Sequence, residues 1–138
     1  MTDSFQLEIV TPEKMIVRDT AESVQIPGLN GYLGILPGHA PLITELGAGE
    51  IAYRSNGQSH RFAVAWGFAE VLQDRVTVLA ETVERADEID VARAQRALAR
   101  AGELLKSAQT ADEFSHAAGK VRVAQARIEV AQKKDNPA

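Results

Sequence analysis

Residues 51–66 read IAYRSNGQSHRFAVAW, with Asn56-Gly57 between two partly apolar stretches. Both turn residues tolerate positive φ, which the central positions of a type I′ turn require. On the return side, larger side chains alternate with other residues at Phe62, Val64 and Trp66. The stretch therefore predicts a β-hairpin whose second strand carries these three side chains on one face.

Short strand patterns continue on both sides of this hairpin. Near the N-terminus, Phe5, Leu7 and Ile9 alternate with polar residues, and Pro and Gly punctuate the apolar stretches that follow. Gly67 interrupts the return strand, where a β-bulge is expected. Because these strands follow one another without helices between them, the pattern predicts an antiparallel β-sandwich or flattened barrel over residues 1–86.

The pattern changes at Asp87. Proline is absent from residues 87–134, alanine is frequent, and apolar residues recur at alternating intervals of three and four. The positions in this seam are Val91, Ala94, Leu98, Ala101, Leu105 and Ala108, then Phe114, Ala117, Val121, Ala124, Ile128 and Ala131. They predict an antiparallel two-helix hairpin as a second domain, residues 87–138. Asp87 and Asp90 resemble a capping box at its start.

The seam alternates one larger residue with one alanine. Alanine lets two helix backbones approach closely, but it removes little apolar area from water. Gly102 and Gly119 lie inside the helices, and each costs about 1 kcal/mol relative to alanine. We therefore expect a weakly held hairpin that docks and undocks, so that its helices can separate and extend.

Composition restricts the function. The chain has 138 residues, no cysteine and a formal net charge of -4, which disfavours general binding to nucleic acid or anionic membranes. The absence of cysteine excludes disulfides and thiolate metal sites. No apolar run reaches the ~20 residues that cross a bilayer, and the short polar N-terminus does not resemble a signal peptide. A role at a membrane would require another protein to hold the chain there.

No catalytic or metal-binding pattern is present. The three histidines, His39, His60 and His116, fall in separate predicted elements without metal-ligand spacing. Nucleophile elbows, phosphate-binding loops and dinucleotide motifs are also missing. The sequence therefore predicts a non-enzymatic chain without a metal, and a hydrolase whose residues converge only in space is the enzyme alternative.

Two features have both a structural and a functional interpretation. Residues 31–42, rich in Gly and Pro, are either a buried strand between turns or a rigid loop whose Tyr32 contacts a partner. Basic residues on both predicted helices are either a solvated face or a site for anions and acidic partners. They are Arg93, Arg96 and Arg100 on the first helix and Lys120, Arg122 and Arg127 on the second.

Three segments carry a resemblance to a known family. Residues 34–42, GILPGHAPL, are similar to the signature of the ATP synthase epsilon subunit. Residues 67–71 and 76–80 resemble that family's last sandwich strands, and 89–94, IDVARA, resemble the I/L-D-x-x-R-A motif that opens its helical domain. The chain is therefore similar to the epsilon subunits of bacterial F-type rotary ATP synthases from residue 5 to about 133.

The resemblance implies a non-catalytic rotor subunit that couples proton flow to ATP synthesis. It implies binding to the gamma subunit and the c-subunit ring, peripheral to the cytoplasmic face of a bacterial inner membrane. The implied contact residues are Gly31, Tyr32, Leu33, Ile35, Pro37 and His39. The family often has an acidic residue where this chain has Tyr32, so an ion pair with the ring is not expected.

The resemblance also implies a switch in the helical hairpin. Docked on the sandwich, the hairpin leaves the rotor free; extended along gamma, it would contact the alpha and beta subunits and inhibit ATP hydrolysis.

Some family members bind ATP in the docked state, which makes ATP a regulatory ligand rather than a required cofactor. The matching positions are Glu84, Ile89, Asp90, Arg93, Ala94, Arg100 and Arg127. Asp90 would accept a hydrogen bond from the adenine amino group, or it simply caps the helix. Val123 stands where ATP binders can have arginine. The alternative function is a freestanding nucleotide-binding sensor.

Overall fold

A computed structural model describes residues 3–133 as a β-sandwich followed by a helical hairpin. The strands are β1 (Phe5–Val10), β2 (Met15–Ala21), β3 (Ser23–Gly28), β4 (Gly31–Ile35), β5 (Leu42–Ser55), β6 (Gln58–Val71) and β7 (Arg75–Arg85). They are hydrogen-bonded in the order β2-β1-β7-β6-β5-β3-β4. The β1–β7 pair is parallel, and the other pairs are antiparallel. A short 3-10 helix, Ala86–Glu88, leads to helices α1 (Val91–Ser107) and α2 (Ala111–Gln132). The predicted fold class is confirmed.

The central hairpin forms as predicted from its turn. Asn56 has φ of 53° and Gly57 has φ of 75°, and Ser55 pairs with Gln58 across them. The strands are longer than the sequence pattern indicated, because β5 already begins at Leu42 and both strands span 14 residues. Strands of this length can contribute to both layers of the sandwich.

Side chains of β6 change sides of the sheet near its middle. Phe62 and Val64 point into the core before that point, and Ala69 and Val71 point into it afterwards. Trp66 and Gly67 have φ of 60° and 127°, and the register with β7 is the same on either side of them. The expected bulge at Gly67 is therefore wrong, because no extra residue is inserted. The predicted placement of Trp66 beside Phe62 and Val64 is also wrong, since the reversal turns its ring towards the helices.

Gly67 is expected to be intolerant of a side chain. A Cβ there would collide with the carbonyl oxygen of Leu79, at a φ that L-residues rarely adopt. Gly67→Ala should therefore lower the free energy of unfolding by about 3 kcal/mol, measured by urea denaturation. Gly34→Ala is the matched control, because its Cβ would meet nothing within 4 Å. Equal stability of the two variants would contradict the strained conformation at Gly67.

Between the two layers lies an apolar core drawn from the sandwich strands. Its largest fully buried side chains include Leu7, Ile9, Ile26, Leu46 and Ile51. At one side of the core, Tyr53 stacks on Phe62, and its hydroxyl donates to Asp19 Oδ2 at 3.0 Å. Burial, followed by this hydrogen bond, raises the pKa of Tyr53 to about 12. Tyr53 is therefore a neutral structural residue at physiological pH.

Both helices begin at side-chain caps. Asp90 Oδ1 accepts from the Arg93 backbone N–H at 3.0 Å, and Thr110 Oγ1 accepts from that of Glu113 at 3.1 Å. The predicted capping box starting at Asp87 is wrong, because Asp87 lies in the preceding 3-10 helix. The caps fix where each helix begins, one after the β7 connection and one after the hairpin turn.

Alanines form the most buried part of the helix–helix seam. Ala94, Ala101, Ala117 and Ala124 are each at most 2% exposed, whereas Phe114, at a large-residue position, is 56% exposed. The other large seam residues are only partly buried, so the interface removes less apolar area from water than a seam of fully buried large residues would.

The hairpin contacts the sandwich mainly through α2, which packs on β5 and β6. Ala126 and Val130 are the buried residues of α2 that lie outside the predicted seam. Among residues 3–133, neither helix combines the length and apolarity needed to cross a membrane.

Candidate functional surfaces

A cleft of about 530 Å³ lies between the helices and Trp66 of the sandwich. We call it the hairpin cleft. Small apolar residues of both helices line it, including Ala97, Ala101 and Val123. Basic side chains from both helices also line it: Arg100, Lys120, Arg122 and Arg127. An aromatic ring beside several cations suits an anionic ligand that carries a flat group.

Trp66 joins the sandwich to the cleft. The Arg122 guanidinium carbon lies 5.9 Å from the centre of the Trp66 ring, within range of a cation–π interaction. A Cβ built on Gly119 would lie 3.6 Å from the ring, so the glycine of α2 lies next to the indole. This role is not indicated by the sequence, because alternation along β6 predicts Trp66 on the same face as Phe62 and Val64, and the reversal at Trp66-Gly67 is a tertiary feature.

Arg127 and Glu84 meet each other directly. Arg127 Nε lies 2.7 Å from Glu84 Oε1, and Arg127 Nη2 lies 3.2 Å from Glu84 Oε2. This two-point ion pair ties α2 to β7 and holds the guanidinium at the edge of the cleft. A phosphate at Arg127 would compete with the Glu84 carboxylate for the same donors.

The other predicted nucleotide residues fall into two places. Arg100 lines the hairpin cleft with Arg127. Ile89, Asp90, Arg93 and Ala94 lie at the start of α1 and do not line it. There Asp90 is engaged as the helix cap, and Ala94 is buried in the seam. The structure thus places Arg127 with Arg100 in the cleft lining and pairs Arg127 with Glu84, which does not line the cleft, and it places the 89–94 motif apart from that lining.

The predicted partner loop spans β4 and the turn after it. Gly31 and Tyr32 are exposed, whereas Leu33, Pro37 and His39 are partly buried. The Tyr32 hydroxyl accepts from the Glu50 backbone N–H at 3.0 Å, which holds the ring across Gly49.

Ile35 departs from the prediction that it contacts a partner. It is only 1% exposed and belongs to the core, so its side chain anchors the loop from beneath. The neighbouring Leu36, which is not among the predicted contact residues, is 65% exposed. Gly38 donates to the Gln73 carbonyl at 2.9 Å and joins this loop to the β6–β7 turn.

An apolar row, exposed except for the partly buried Val10, crosses the outer face of five strands. Phe68 is paired with Leu79, Leu79 with Val10, and Val10 with Met15. Phe68, Leu79 and Met15 are 54%, 55% and 41% exposed. Ile43 is 71% exposed and lies diagonally from Phe68, because its own partner is Glu70. We call these five residues the apolar row, and exposed apolar groups of this kind mark interaction surfaces.

Comparison with protein families accounts for nearly the whole chain. Residues 4–86 match the ATP synthase delta/epsilon chain beta-sandwich domain, and residues 87–132 match the long alpha-helix domain of the same chain. The chain belongs to the ATP synthase delta/epsilon chain family. Thus the resemblance seen in the sequence is confirmed.

Similar curated proteins are epsilon chains of this family. The ATP synthase epsilon chain of Solibacter usitatus is 46% identical over 135 residues, covering 97% of this chain and 100% of that protein. That of Koribacter versatilis is 64% identical over 107 residues, covering 78% of this chain and 75% of its own length.

Solved structures share the fold. A chain of the Euglena gracilis mitochondrial ATP synthase OSCP/F1/c-ring structure superposes with a TM-score of 0.81 at 18% identity, covering 91% of this chain and 79% of that one. A chain of the Tetrahymena thermophila central stalk/c-ring structure gives 0.67 at 13% identity, covering 93% and 96%.

The segments that carried the resemblance to epsilon subunits have defined places in this epsilon-type chain. Residues 34–42 form the end of β4, the turn that Gly38 ties to Gln73, and the start of β5. Residues 89–94 form the cap and first turn of α1. The first segment therefore shapes one end of the sandwich, and the second fixes the start of the helical hairpin.

Proposed function

We propose that this chain is a non-catalytic central-stalk subunit of an F-type ATP synthase, which couples proton flow to ATP synthesis. The apolar row is the observation that carries the proposal, because it leaves a contiguous apolar surface on a strand face. The chain would lie peripherally at the cytoplasmic face of a bacterial inner membrane, held there by its partners.

The gamma subunit is the proposed partner of the apolar row. Burying these apolar side chains against a partner removes them from water, which is favourable by roughly 25 cal/mol per Å² of apolar area. Purified chain should form a stable complex with gamma and change the ATPase activity of the assembled enzyme. Failure to bind gamma would count against the stalk proposal, and turnover by the isolated chain would favour a hydrolase.

The c-subunit ring is the proposed partner of the loop at one end of the sandwich. Tyr32 and Leu36 are the exposed apolar side chains of that loop, at 53% and 65%. The hydrogen bond from the Gly38 N–H to the β6–β7 turn restricts the conformation of the loop. A preorganised loop loses little entropy on binding.

The helical hairpin is the proposed regulatory element. Its seam buries mainly alanine, and its hold on the sandwich comes mainly from one helix. A few kcal/mol of differential binding suffices to shift such a two-state element. In the extended state, exposed cations such as Arg93 and Arg96 would contact the alpha and beta subunits and inhibit ATP hydrolysis.

Nucleotide binding is a second proposed function, and the cations of the hairpin cleft support it. Trp66 is the single tryptophan of the chain and lines the cleft, so its fluorescence should report on an occupied site. We expect MgATP to change Trp66 emission saturably. Arg100→Ala should raise the Kd about tenfold or more, because a charge-assisted hydrogen bond is lost.

Arg96→Ala is the matched control for this titration. Arg96 is on the same helix and exposed, but it does not line the cleft. An unchanged Trp66 signal with wild-type chain up to millimolar MgATP would exclude the cleft as an ATP site. Tight ATP binding by a chain that fails to bind gamma would instead favour the freestanding sensor.

A further inference from the structure

A buried carboxylate lies under the C-terminal end of α2. Glu50 on β5 is only 7% exposed, and its Oε2 lies 3.1 Å from Nη1 of Arg61 on β6. The two residues are diagonal neighbours, because Glu50 is paired with Ala63 and Ala52 with Arg61. A charge this buried is costly unless it is paired, so the strand pair presents a fixed ionic site on the outer face of the sheet.

The same arginine holds the last turn of α2. Arg61 Nη1 donates to the Val130 carbonyl at 2.8 Å, and Nη2 donates to the Lys133 carbonyl at 2.7 Å. The last carbonyls of a helix have no partner within the helix, and a cation there also matches the helix dipole. From the helix side, Lys133 Nζ reaches Glu50 Oε1 at 3.0 Å. The end of α2 is therefore held twice, because the sandwich donates hydrogen bonds to the helix through Arg61 and the helix donates one to the sandwich through Lys133.

We propose that Glu50, Arg61 and Lys133 form a latch that sets how firmly the hairpin is docked. Elsewhere on the hairpin, the Arg127–Glu84 pair is more exposed than the Glu50–Arg61 pair, and Leu104 and Phe114 near the hairpin tip are exposed to water. Release of this end would be the first step of undocking. The regulatory meaning of the latch rests on the proposed hairpin switch, whereas its effect on docking can be measured in the isolated chain.

Amide hydrogen exchange on the isolated full-length chain tests the latch directly. Arg61→Met keeps a long side chain and removes the donors, so residues 117–126 should exchange about 10- to 100-fold faster. The sandwich amides should keep their protection. Arg18→Met is the control, because Arg18 is also an ion-paired strand arginine but lies on β2 with its side chain 69% exposed. It should leave the exchange of α2 unchanged.

A variant on the helix side separates the latch from damage to the sandwich. Lys133→Met removes one arm of the latch and should speed exchange of residues 117–126 severalfold. Wild-type exchange there in both variants would overturn the proposal, as would faster exchange confined to the last turn, which indicates end fraying alone. Faster exchange across the sandwich in Arg61→Met, with no effect of Lys133→Met, would assign the pair to the sandwich fold instead.

Activity of the assembled enzyme distinguishes the latch from the function it serves. If Arg61→Met loosens α2 and ATP hydrolysis falls, both the latch and the switch are supported. If α2 loosens and hydrolysis is unchanged, the latch stands and the inhibitory role of the hairpin fails.

Discussion

Replacing Phe68 by glutamate is expected to abolish stable binding of this chain to gamma. Phe68 lies in the apolar row and is 54% exposed, so Phe68→Glu leaves the isolated sandwich intact. Burying an unpaired carboxylate in an apolar interface costs several kcal/mol, and each 1.4 kcal/mol is a factor of ten in Kd. We expect the Kd for gamma to rise by about 100-fold or more, measured by calorimetry, with an unchanged thermal melt.

Gln58→Glu provides the matched control for that substitution. Gln58 is exposed beside the β5–β6 turn and lies outside the apolar row, so the same charge should leave binding unchanged. Leu79→Glu, which lies next to Phe68 across the strand pair, should reproduce the loss. Wild-type affinity of Phe68→Glu would place the gamma contact on another face of the sandwich.

Covalent locking of α2 to the sandwich is expected to remove inhibition by the hairpin. Ala65 on β6 and Val123 on α2 line the same small cavity, and the chain has no cysteine of its own. An Ala65→Cys/Val123→Cys disulfide would hold the hairpin in its docked state. ATP hydrolysis by the assembled enzyme should then rise to the level seen with a chain truncated before Asp87, because the inhibited population is eliminated.

Reduction of that disulfide should restore inhibition, and each single cysteine variant should behave like wild type. A second tether, Leu98→Cys with Val121→Cys across the seam, would show whether the helices must also separate from each other. Equal hydrolysis in the oxidised and reduced states of the Ala65–Val123 pair would contradict an inhibitory hairpin.

Local chemistry made part of this fold predictable from sequence. Asn56-Gly57 fixes a two-residue turn through its positive φ values, and the alanine spacing of the helices specifies a close antiparallel seam. Asp90 caps α1 through a hydrogen bond from the backbone N–H of a residue only three positions later in the sequence. Each of these features depends on residues near one another in the chain.

Features that depend on distant contacts were not predictable in the same way. Alternation along β6 predicts Trp66 on the same face as Phe62 and Val64, whereas the backbone reverses at Trp66-Gly67 and the ring lies beside Gly119 of α2. Within the latch, Glu50 and Lys133 are separated by 83 positions in the sequence, so their pairing cannot be recognised before the chain folds. Leu79, by contrast, already alternates with buried valines and could have indicated the apolar row.

The proposed switch requires α2 to leave the sandwich in the working enzyme. Spin labels at Gln58 on the sandwich and Ser107 at the hairpin tip would test it, because both residues are exposed and lie on the two parts that should separate. In the assembled ATP synthase, we expect two distance populations whose proportions change between ATP-hydrolysing and ATP-synthesising conditions. A single distance, equal to that of the isolated docked chain under both conditions, would contradict undocking of α2.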